Sequence, residues 1–285
     1  MGIVRVMITL IMLIIAFFIG RRLWDHYEVA PWTRDGRINA NVVQVAPDIT
    51  GQITAVYVHD NQAVKVGQKL FDVDNARFEL ALRQANVTQQ AQRIALDQAL
   101  KEAHRNAELH ELVSQEAREQ GQSKVEQLRA ALAQTDVSRD LAKLNLDRTR
   151  VVSAVNGVVT NLDLHAGAYV TAGHPVMVLI DHDSMYVEGY FEETKLQSIH
   201  IGDAVSISLM GEKQLLTGHV DSFSEGIADR DRSTSSNLLP NVNPTFSWVR
   251  LAQRIPVRIA LDHVPANVRL IVGQTATVNV HSSAQ

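Results

Sequence analysis

Two segments of this chain, residues 45–74 and 151–180, match each other at a constant offset of 106 residues without a gap. Alternating apolar residues in each copy predict short β-strands, and glycines at shared positions predict tight turns. Each copy is too short to bury its own apolar face, so we expect both copies to pack together as one small β-sandwich. The coinciding pairs include Gly51 with Gly157, Gly67 with Gly173, Thr54 with Thr160, His59 with His165, Val64 with Val170 and Val73 with Leu179.

The residues between the copies, 75–149, predict a long helical tract. They include no proline and a single glycine, Gly121, and they are rich in residues that favour helix. The second half has a heptad seam at alternating steps of three and four, which is interrupted by Arg139 and includes two threonines, and the first half has a looser seam. The second seam is Val125, Leu128, Leu132, Thr135, Arg139, Ala142, Leu146 and Thr149; the first is Leu96, Leu100, Ala103 and Ala107.

This tract is predicted to reverse direction near its middle. Ser114 is a candidate N-cap, and Gly121 is a weak point soon after it. We expect two antiparallel helices of about 35 residues, each about 50 Å long, that fold back at residues 112–117. The alternative is one continuous coiled coil that dimerises. The repeat favours the hairpin, because strands on both sides of the tract must return to one sandwich.

The N-terminus has an apolar run over residues 6–20, between Arg5 and the pair Arg21-Arg22. No small-residue cleavage site follows this run, so an uncleaved membrane anchor is favoured over a cleaved signal peptide or a buried helix. Basic side chains at both ends can extend the span, and Trp24 suits the membrane interface. The predicted anchor residues are Val6, Leu10, Leu13, Phe17 and Trp24.

The C-terminal third reads as five or six short strands separated by Gly and Asp turns, which predicts a small β-barrel. Residues 228–245 are polar and contain two prolines, so they are predicted to form a loop. This loop is either a contact loop or a tolerated insertion.

Composition and motifs exclude several classes of function. The net charge of −4 argues against a nucleic-acid partner, and the absence of cysteine excludes thiolate sites. Phosphate-binding glycine loops and the nucleophile elbow are absent, and His110-Glu111 begins a zinc-protease pattern that Ser114 breaks. His59 and His165 suggest a shared strand-end role, and residues 181–183 a polar turn. We expect no enzyme activity, cofactor or metal.

This order of segments resembles the HlyD-type membrane fusion proteins, the periplasmic adaptors of tripartite efflux pumps. The resemblance covers the whole chain: anchor, half of a lipoyl-like sandwich, hairpin, second half and barrel. Residues 31–35 and 248–258 look most like the adaptor of the p-hydroxybenzoic acid (aromatic carboxylic acid) exporter. The implied fold is elongated mixed β and α. Its segments are 1–28 (anchor), 29–74 (half-sandwich with a preceding barrel strand), 75–149 (coiled-coil hairpin), 150–181 (second half-sandwich) and 182–285 (barrel).

The resemblance implies an adaptor in the inner membrane of a Gram-negative bacterium, with most of the chain in the periplasm. Its implied partners are an inner-membrane transporter, a TolC-type outer-membrane channel and further copies of itself, as a trimer or hexamer. Adaptors of this family carry Arg, Leu and Ser at the hairpin tip, for which Arg105, Leu109 and Ser114 are the candidates here. The spacings that involve Ser114 depart from the usual ones.

Three alternatives stay open. The chain could be the adaptor of a protein-secretion system or a membrane-anchored coiled-coil scaffold without a channel. It could also be a lipoyl- or biotinyl-like carrier module, since Lys65 and Lys69 lie near the turn at Gly67. No flanking Met or Ala motif marks either lysine for modification, so the carrier is not favoured.

Overall fold

The structure is a computed structural model that describes residues 2–24, 30–109, 113–227, 232–234, 240–242, 252–265 and 267–281. The chain divides into two compact units, residues 42–183 and residues 1–41 with 184–285. In chain order the helices and strands are α1 (Gly2–Trp24), β1 (Trp32–Asn39), β2 (Val42–Val45), β3 (Gly51–Val56), β4 (Ala63–Val64), β5 (Lys69–Val73), α2 (Ala76–Glu108), α3 (Gln115–Asp147), β6 (Arg150–Val152), β7 (Gly157–Thr160), β8 (Tyr169–Val170), β9 (Met177–Asp181), β10 (Tyr186–Glu192), β11 (Ala204–Leu209), β12 (Leu215–Phe223), β13 (Arg232–Thr234), β14 (Pro240–Val242), β15 (Arg254–His263) and β16 (Thr275–His281).

The unit formed by residues 42–183 contains two four-stranded sheets, ordered β2-β9-β7-β4 and β6-β5-β3-β8. Each sheet combines strands from both copies of the repeat. Gly51 in β3 pairs with Val170 in β8, and Gly157 in β7 pairs with Val64 in β4. Residue 51 is equivalent to residue 157 by the offset of 106, and residue 64 is equivalent to residue 170, so the two pairs are the same pairing seen from each copy. The two copies therefore exchange strands reciprocally. The predicted single sandwich is therefore present, and its core includes Ile53, Leu70, Phe71, Val159 and Leu179.

The four repeat glycines fall into two structural classes. Gly67 and Gly173 both have φ of 78°, the left-handed region that a tight turn requires. Their N–H groups donate across the copies, to the carbonyls of Ser153 and Pro47 at 2.8 and 2.9 Å. Gly51 and Gly157 were expected in turns as well, but they are the first residues of β3 and β7. The close approach of neighbouring chain segments, rather than a turn conformation, is what requires a small residue there.

Helices α2 and α3 form an antiparallel hairpin. A side-chain hydrogen bond joins Gln89 to Asp136, and Gly121 packs against Ala103, so contacts run in opposite directions along the two helices. The reversal lies between Glu108 and Gln115, a few residues before the predicted 112–117, and residues 110–112 are outside the described residues. The N–H of Val73 donates to the Thr149 carbonyl at 2.8 Å, which holds the base of the hairpin together.

The structure agrees with the seam predicted on α3 and only partly with the seam predicted on α2. On α3 every predicted seam position is buried or partly buried, and Val125 is the most buried residue of the helix. On α2 the seam includes Leu96 and Ala103, but Leu100 is 39% exposed and Ala107 is exposed. Ala99 and Asn106 take their places. A heptad seam through residues 96 and 103 can continue through 99 and 106 or through 100 and 107, and the partly buried pair here is 99 and 106.

In the other unit, six strands close a barrel in the order β1-β10-β15-β12-β11-β16. Strand β1, from before the sandwich, pairs with β10 on one side and β16 on the other. The interior is apolar and includes Ile38, Phe191, Ile207, Ile259 and Val278, all fully buried. The predicted loop at 228–245 includes a short antiparallel pair, β13 with β14, and its remaining positions lie outside the described residues.

Helix α1 covers most of the segment predicted as an anchor, although the side chain of Val6 lies outside the described part of the structure. Within the part of the chain that the structure describes, no helix combines the length and the apolar character needed to cross a membrane.

Candidate functional site

The end of the hairpin brings together three residues that the sequence singled out. Arg105 lies in the last turn of α2, and Leu109 follows the helix as its C-cap. The N–H of Leu109 donates to the Arg105 carbonyl at 3.2 Å, so the two residues are one turn apart. Leu109 is 42% exposed, and Arg105 is exposed as well. An apolar and a cationic side chain therefore stand beside each other at the exposed end of α2.

Ser114 begins the returning helix. Its backbone is extended (φ −65°, ψ 153°), and its Oγ accepts a hydrogen bond from the Ala117 N–H at 3.3 Å. This is the N-cap arrangement that satisfies one of the free N–H groups at a helix start. Ser114 therefore has a structural role as well as an exposed position, and a change at Ser114 alters both.

The charged groups around Arg105 leave it available to a partner. Within the described residues, its carboxylate neighbour is Glu102, whose Oε1 lies 3.9 Å away, and both side chains are well exposed. Exposed pairs of this kind contribute about 0–1 kcal/mol. Such a pair gives way readily to a carboxylate that is presented by another surface.

Arg118 is a further residue at this end that the sequence reasoning missed. Its Nε is buried and has no hydrogen-bond partner among the described residues. The α3 seam, extended back from Val125 through Gly121, reaches position 118, and this spacing is the signal that could have identified it. A cation therefore occupies the final seam position before the hairpin end.

The other residues that the sequence singled out lie in or beside turns. Lys65 opens the turn around Gly67, since the Gln68 N–H donates to its carbonyl at 3.0 Å, and the Lys69 Nζ lies 5.4 Å from the Tyr57 ring centroid. His182 begins a 3-10 turn whose backbone N–H donates to the Asn156 carbonyl at 2.9 Å. Among the residues that the structure describes, no group of three or more metal-binding side chains includes His59 or His165.

Comparison with protein families gives two matches that together span most of the chain. Residues 41–182 match the RND MFP barrel-sandwich hybrid domain. Residues 184–281 match the AAEA-like beta-barrel domain.

Solved structures share the fold at low sequence identity. The membrane fusion protein Spr0693 from Streptococcus pneumoniae R6 is 16% identical, with a TM-score of 0.64, over 88% of this chain and 98% of that one. MacA from Actinobacillus actinomycetemcomitans is 17% identical, with a TM-score of 0.60, over 89% and 79%. A MacA-MexA chimeric protein that contains the Pseudomonas aeruginosa MexA α-hairpin domain is 19% identical, with a TM-score of 0.60, over 90% and 83%. These comparisons show a common architecture of sandwich, hairpin and barrel.

Proposed function

We propose that this chain, which matches the RND MFP barrel-sandwich hybrid domain and the AAEA-like beta-barrel domain, is the periplasmic adaptor of a tripartite efflux pump. The adaptor links an inner-membrane transporter to a TolC-type outer-membrane channel. It performs no chemistry itself, and the transporter supplies the energy. The exported compounds are aromatic carboxylic acids or similar small toxic molecules, a class inherited from the resemblance of residues 31–35 and 248–258.

The observation that carries this proposal is the hairpin. Each helix has 33 residues, which corresponds to about 50 Å. Both helices join the sandwich at one place, where Val73 meets Thr149, so the opposite end is free to reach a partner. A rigid pair of helices of this length suits a bridge better than a carrier of a small cofactor.

The hairpin end is the proposed contact with the outer channel. Leu109 supplies an apolar side chain and Arg105 a cation, and Ser114 caps the start of the returning helix. Helices that meet end to end or in grooves recognise each other through such anchors at helical spacing.

Reversal of charge at the hairpin end is expected to disrupt channel binding. We expect Arg105→Glu to reduce capture of the channel by a photocrosslinker at position 114 by about tenfold, which corresponds to about 1.4 kcal/mol. The matched control is Arg93→Glu, an exposed arginine three turns earlier on the same helix, which should leave capture unchanged. Equal capture by both variants, or no capture of any channel in cells that export actively, would contradict the proposed contact.

Attachment to the inner membrane is proposed for α1. The side chains of Leu10, Leu13, Phe17 and Trp24 are all exposed, and Arg21 and Arg22 follow the apolar run. Exposed apolar side chains favour a lipid environment, and the arginines can extend to its surface. The remainder of the chain then lies in the periplasm.

Self-assembly is proposed through the outer sides of the hairpin. Apolar residues recur at steps of seven on the side of α2 turned away from α3, and a second apolar set lies on the outer side of α3. The contacts of Gln89 with Asp136 and of Gly121 with Ala103 place both sets at the same level of the hairpin. One copy's α2 can therefore pack against the next copy's α3, a head-to-tail contact that closes into rings. The sets are Leu80, Val87 and Ile94 on α2, and Val137, Leu141 and Leu144 on α3.

A charge placed in the α2 set is expected to weaken assembly. We expect Val87→Glu to reduce the oligomeric fraction in light-scattering measurements by about tenfold at a fixed concentration, since a buried unpaired carboxylate opposes the contact. Asn86→Glu adds the same charge one position away, on the flank of the helix, and should assemble normally. If Val87→Glu assembles as the unaltered protein does, the contact lies elsewhere.

A further inference from the structure

A cavity of about 430 Å³ lies in the barrel unit, where β1, β10 and the start of β15 meet the 3-10 turn at residues 193–198. Two aromatic side chains, Trp32 and Tyr190, contribute to its lining, and so do Lys195 and Arg254. A concave site with aromatic walls and a few convergent polar groups is typical of small-molecule binding. Five of its eight lining residues lie in the segments 31–35 and 248–258 that carry the family resemblance, although the sequence did not indicate that these segments form a cavity.

Lys195 is the unusual residue in this cavity. Its side chain is only 8% exposed, which is rare for lysine, and its charged partner is the half-exposed Glu192. Its Nζ lies 3.8 Å from Glu192 Oε2, beyond hydrogen-bonding distance, and 5.5 Å from the Trp32 ring centroid. Within the described residues, this ammonium donates no hydrogen bond. An ammonium has three donors, and the long contact with Glu192 leaves them able to bind an acceptor that enters the cavity.

The remaining charges define which acceptor fits. Arg254 is already paired with Asp35 at 2.5 Å, and the Arg34 guanidinium lies 5.3 Å from the Trp32 ring centroid. The three cations and two carboxylates of the lining leave a formal charge of +1. Burial raises the pKa of Tyr190, and its hydrogen bond to Glu188 raises it further, so this phenol stays neutral. One negative charge on a ligand balances the site.

We infer that this cavity binds a small organic monocarboxylate, with its carboxylate on Lys195 Nζ and a flat apolar body against Trp32. A carboxylate accepts charge-assisted hydrogen bonds from an ammonium, and an aromatic wall favours a planar ring. The inference rests on the proposed adaptor role only in one respect, that the bound anion is the exported compound. The adaptor would then contact the compound directly, in addition to linking the transporter and the channel.

The test measures binding to the purified full-length chain in detergent by calorimetry and saturation-transfer NMR. The probes are benzoate, benzyl alcohol, which has the ring without the charge, and inorganic phosphate, which has charge without the ring. We expect saturable binding of benzoate, and binding at least about tenfold weaker for the other two. Phosphate or benzyl alcohol that binds as tightly as benzoate would overturn the inference, as would the absence of benzoate binding. This comparison needs no variant, so it does not depend on how a substitution folds.

A variant then assigns the carboxylate contact. Lys195→Met keeps the length of the side chain and removes its charge, and we expect it to weaken benzoate binding about tenfold. Lys213→Met removes an exposed lysine elsewhere in the same unit and should bind as the unaltered chain does. Equal benzoate binding by both variants would overturn the role of Lys195.

Failure of this inference can be told apart from failure of the adaptor proposal. Arg105→Glu should weaken channel capture and retain benzoate binding, whereas Lys195→Met should retain channel capture and weaken benzoate binding. Benzoate binding without any channel capture would support the cavity and contradict the adaptor. Channel capture without benzoate binding would support the adaptor and contradict the cavity.

Discussion

Gly157→Ala is expected to destabilise the sandwich by about 3 kcal/mol or more. A Cβ at position 157 would lie 2.0 Å from the Ile180 carbonyl oxygen and 2.9 Å from its carbon. Both atoms belong to the backbone of β9, which pairs with β7 along its length. The obstacle cannot rotate away as a side chain would, so the β7–β9 pairing itself has to open.

The matched control is Gly51→Ala, because residue 51 is the repeat partner of residue 157. There a Cβ would lie 2.6 Å from Val73 Cγ1, which is a side-chain atom. We expect a smaller loss, of about 1–2 kcal/mol, since a repacked valine can relieve part of the overlap. Urea unfolding and hydrogen exchange of the β7 amides would measure the difference. Equal losses at the two positions would show that the backbone of β9 adapts as readily as the Val73 side chain.

Phe71→Ala is expected to cost about 3–5 kcal/mol, the second large effect. Phe71 is fully buried in the sandwich core, where it lies on β5 opposite Val56 in β3 and Val151 in β6. Removal of the ring leaves a cavity that strands held in two sheets cannot collapse around. The loss would appear as a lower midpoint of urea unfolding.

Phe71→Met is the informative companion to this change. The offset of 106 places Met177 at the equivalent position of the second copy, and Met177 is also buried. The core thus already accommodates methionine at this site of the repeat, and methionine adapts to irregular spaces. We expect a cost below about 1.5 kcal/mol. A loss as large as that of Phe71→Ala would mean that the two copies pack differently around this position.

The repeat is symmetric in its pairing and asymmetric in its details. Both copies use the same reciprocal strand exchange and the same positive φ at Gly67 and Gly173. The β3–β5 pairing has an irregularity between Ile53 and Ala55, however, whereas the β7–β9 register is continuous. Gly51→Ala and Gly157→Ala are expected to differ in their loss of stability because the local contacts of the two glycines differ. The matched sequences alone do not reveal these differences.

Local patterns account for the parts of the architecture that the sequence predicted well. The α3 seam was correct at every position because alternating steps of three and four define one face of a helix without any knowledge of its partner. The α2 seam was partly wrong because this segment is rich in alanine, which fits a seam or an exposed face equally well. Whether Leu100 or Ala99 faces α3 is decided by the partner helix.

The candidate site residues also divide into those that a local sequence pattern predicted and those that only the structure revealed. Ser114 was predicted as an N-cap from residue type and position, and the structure places its Oγ on the Ala117 N–H. Lys195 was missed because nothing around it in the sequence indicates burial, and Arg118 was missed because the predicted α3 seam was not extended back beyond Val125. Contact of Arg105, Leu109 and Ser114 with a channel remains a prediction.

By itself, the sequence determined that two β segments form one body with a helical hairpin between them, because a repeat, a heptad and a cap are local patterns with fixed geometric meaning. A barrel strand before the sandwich was already implied by the family resemblance, whereas only the tertiary structure decided that the copies exchange strands and that Gly157 faces a backbone oxygen. It also decided that Lys195 is buried beside Trp32. These features depend on contacts between residues far apart in the chain, and such contacts are set by how whole elements pack.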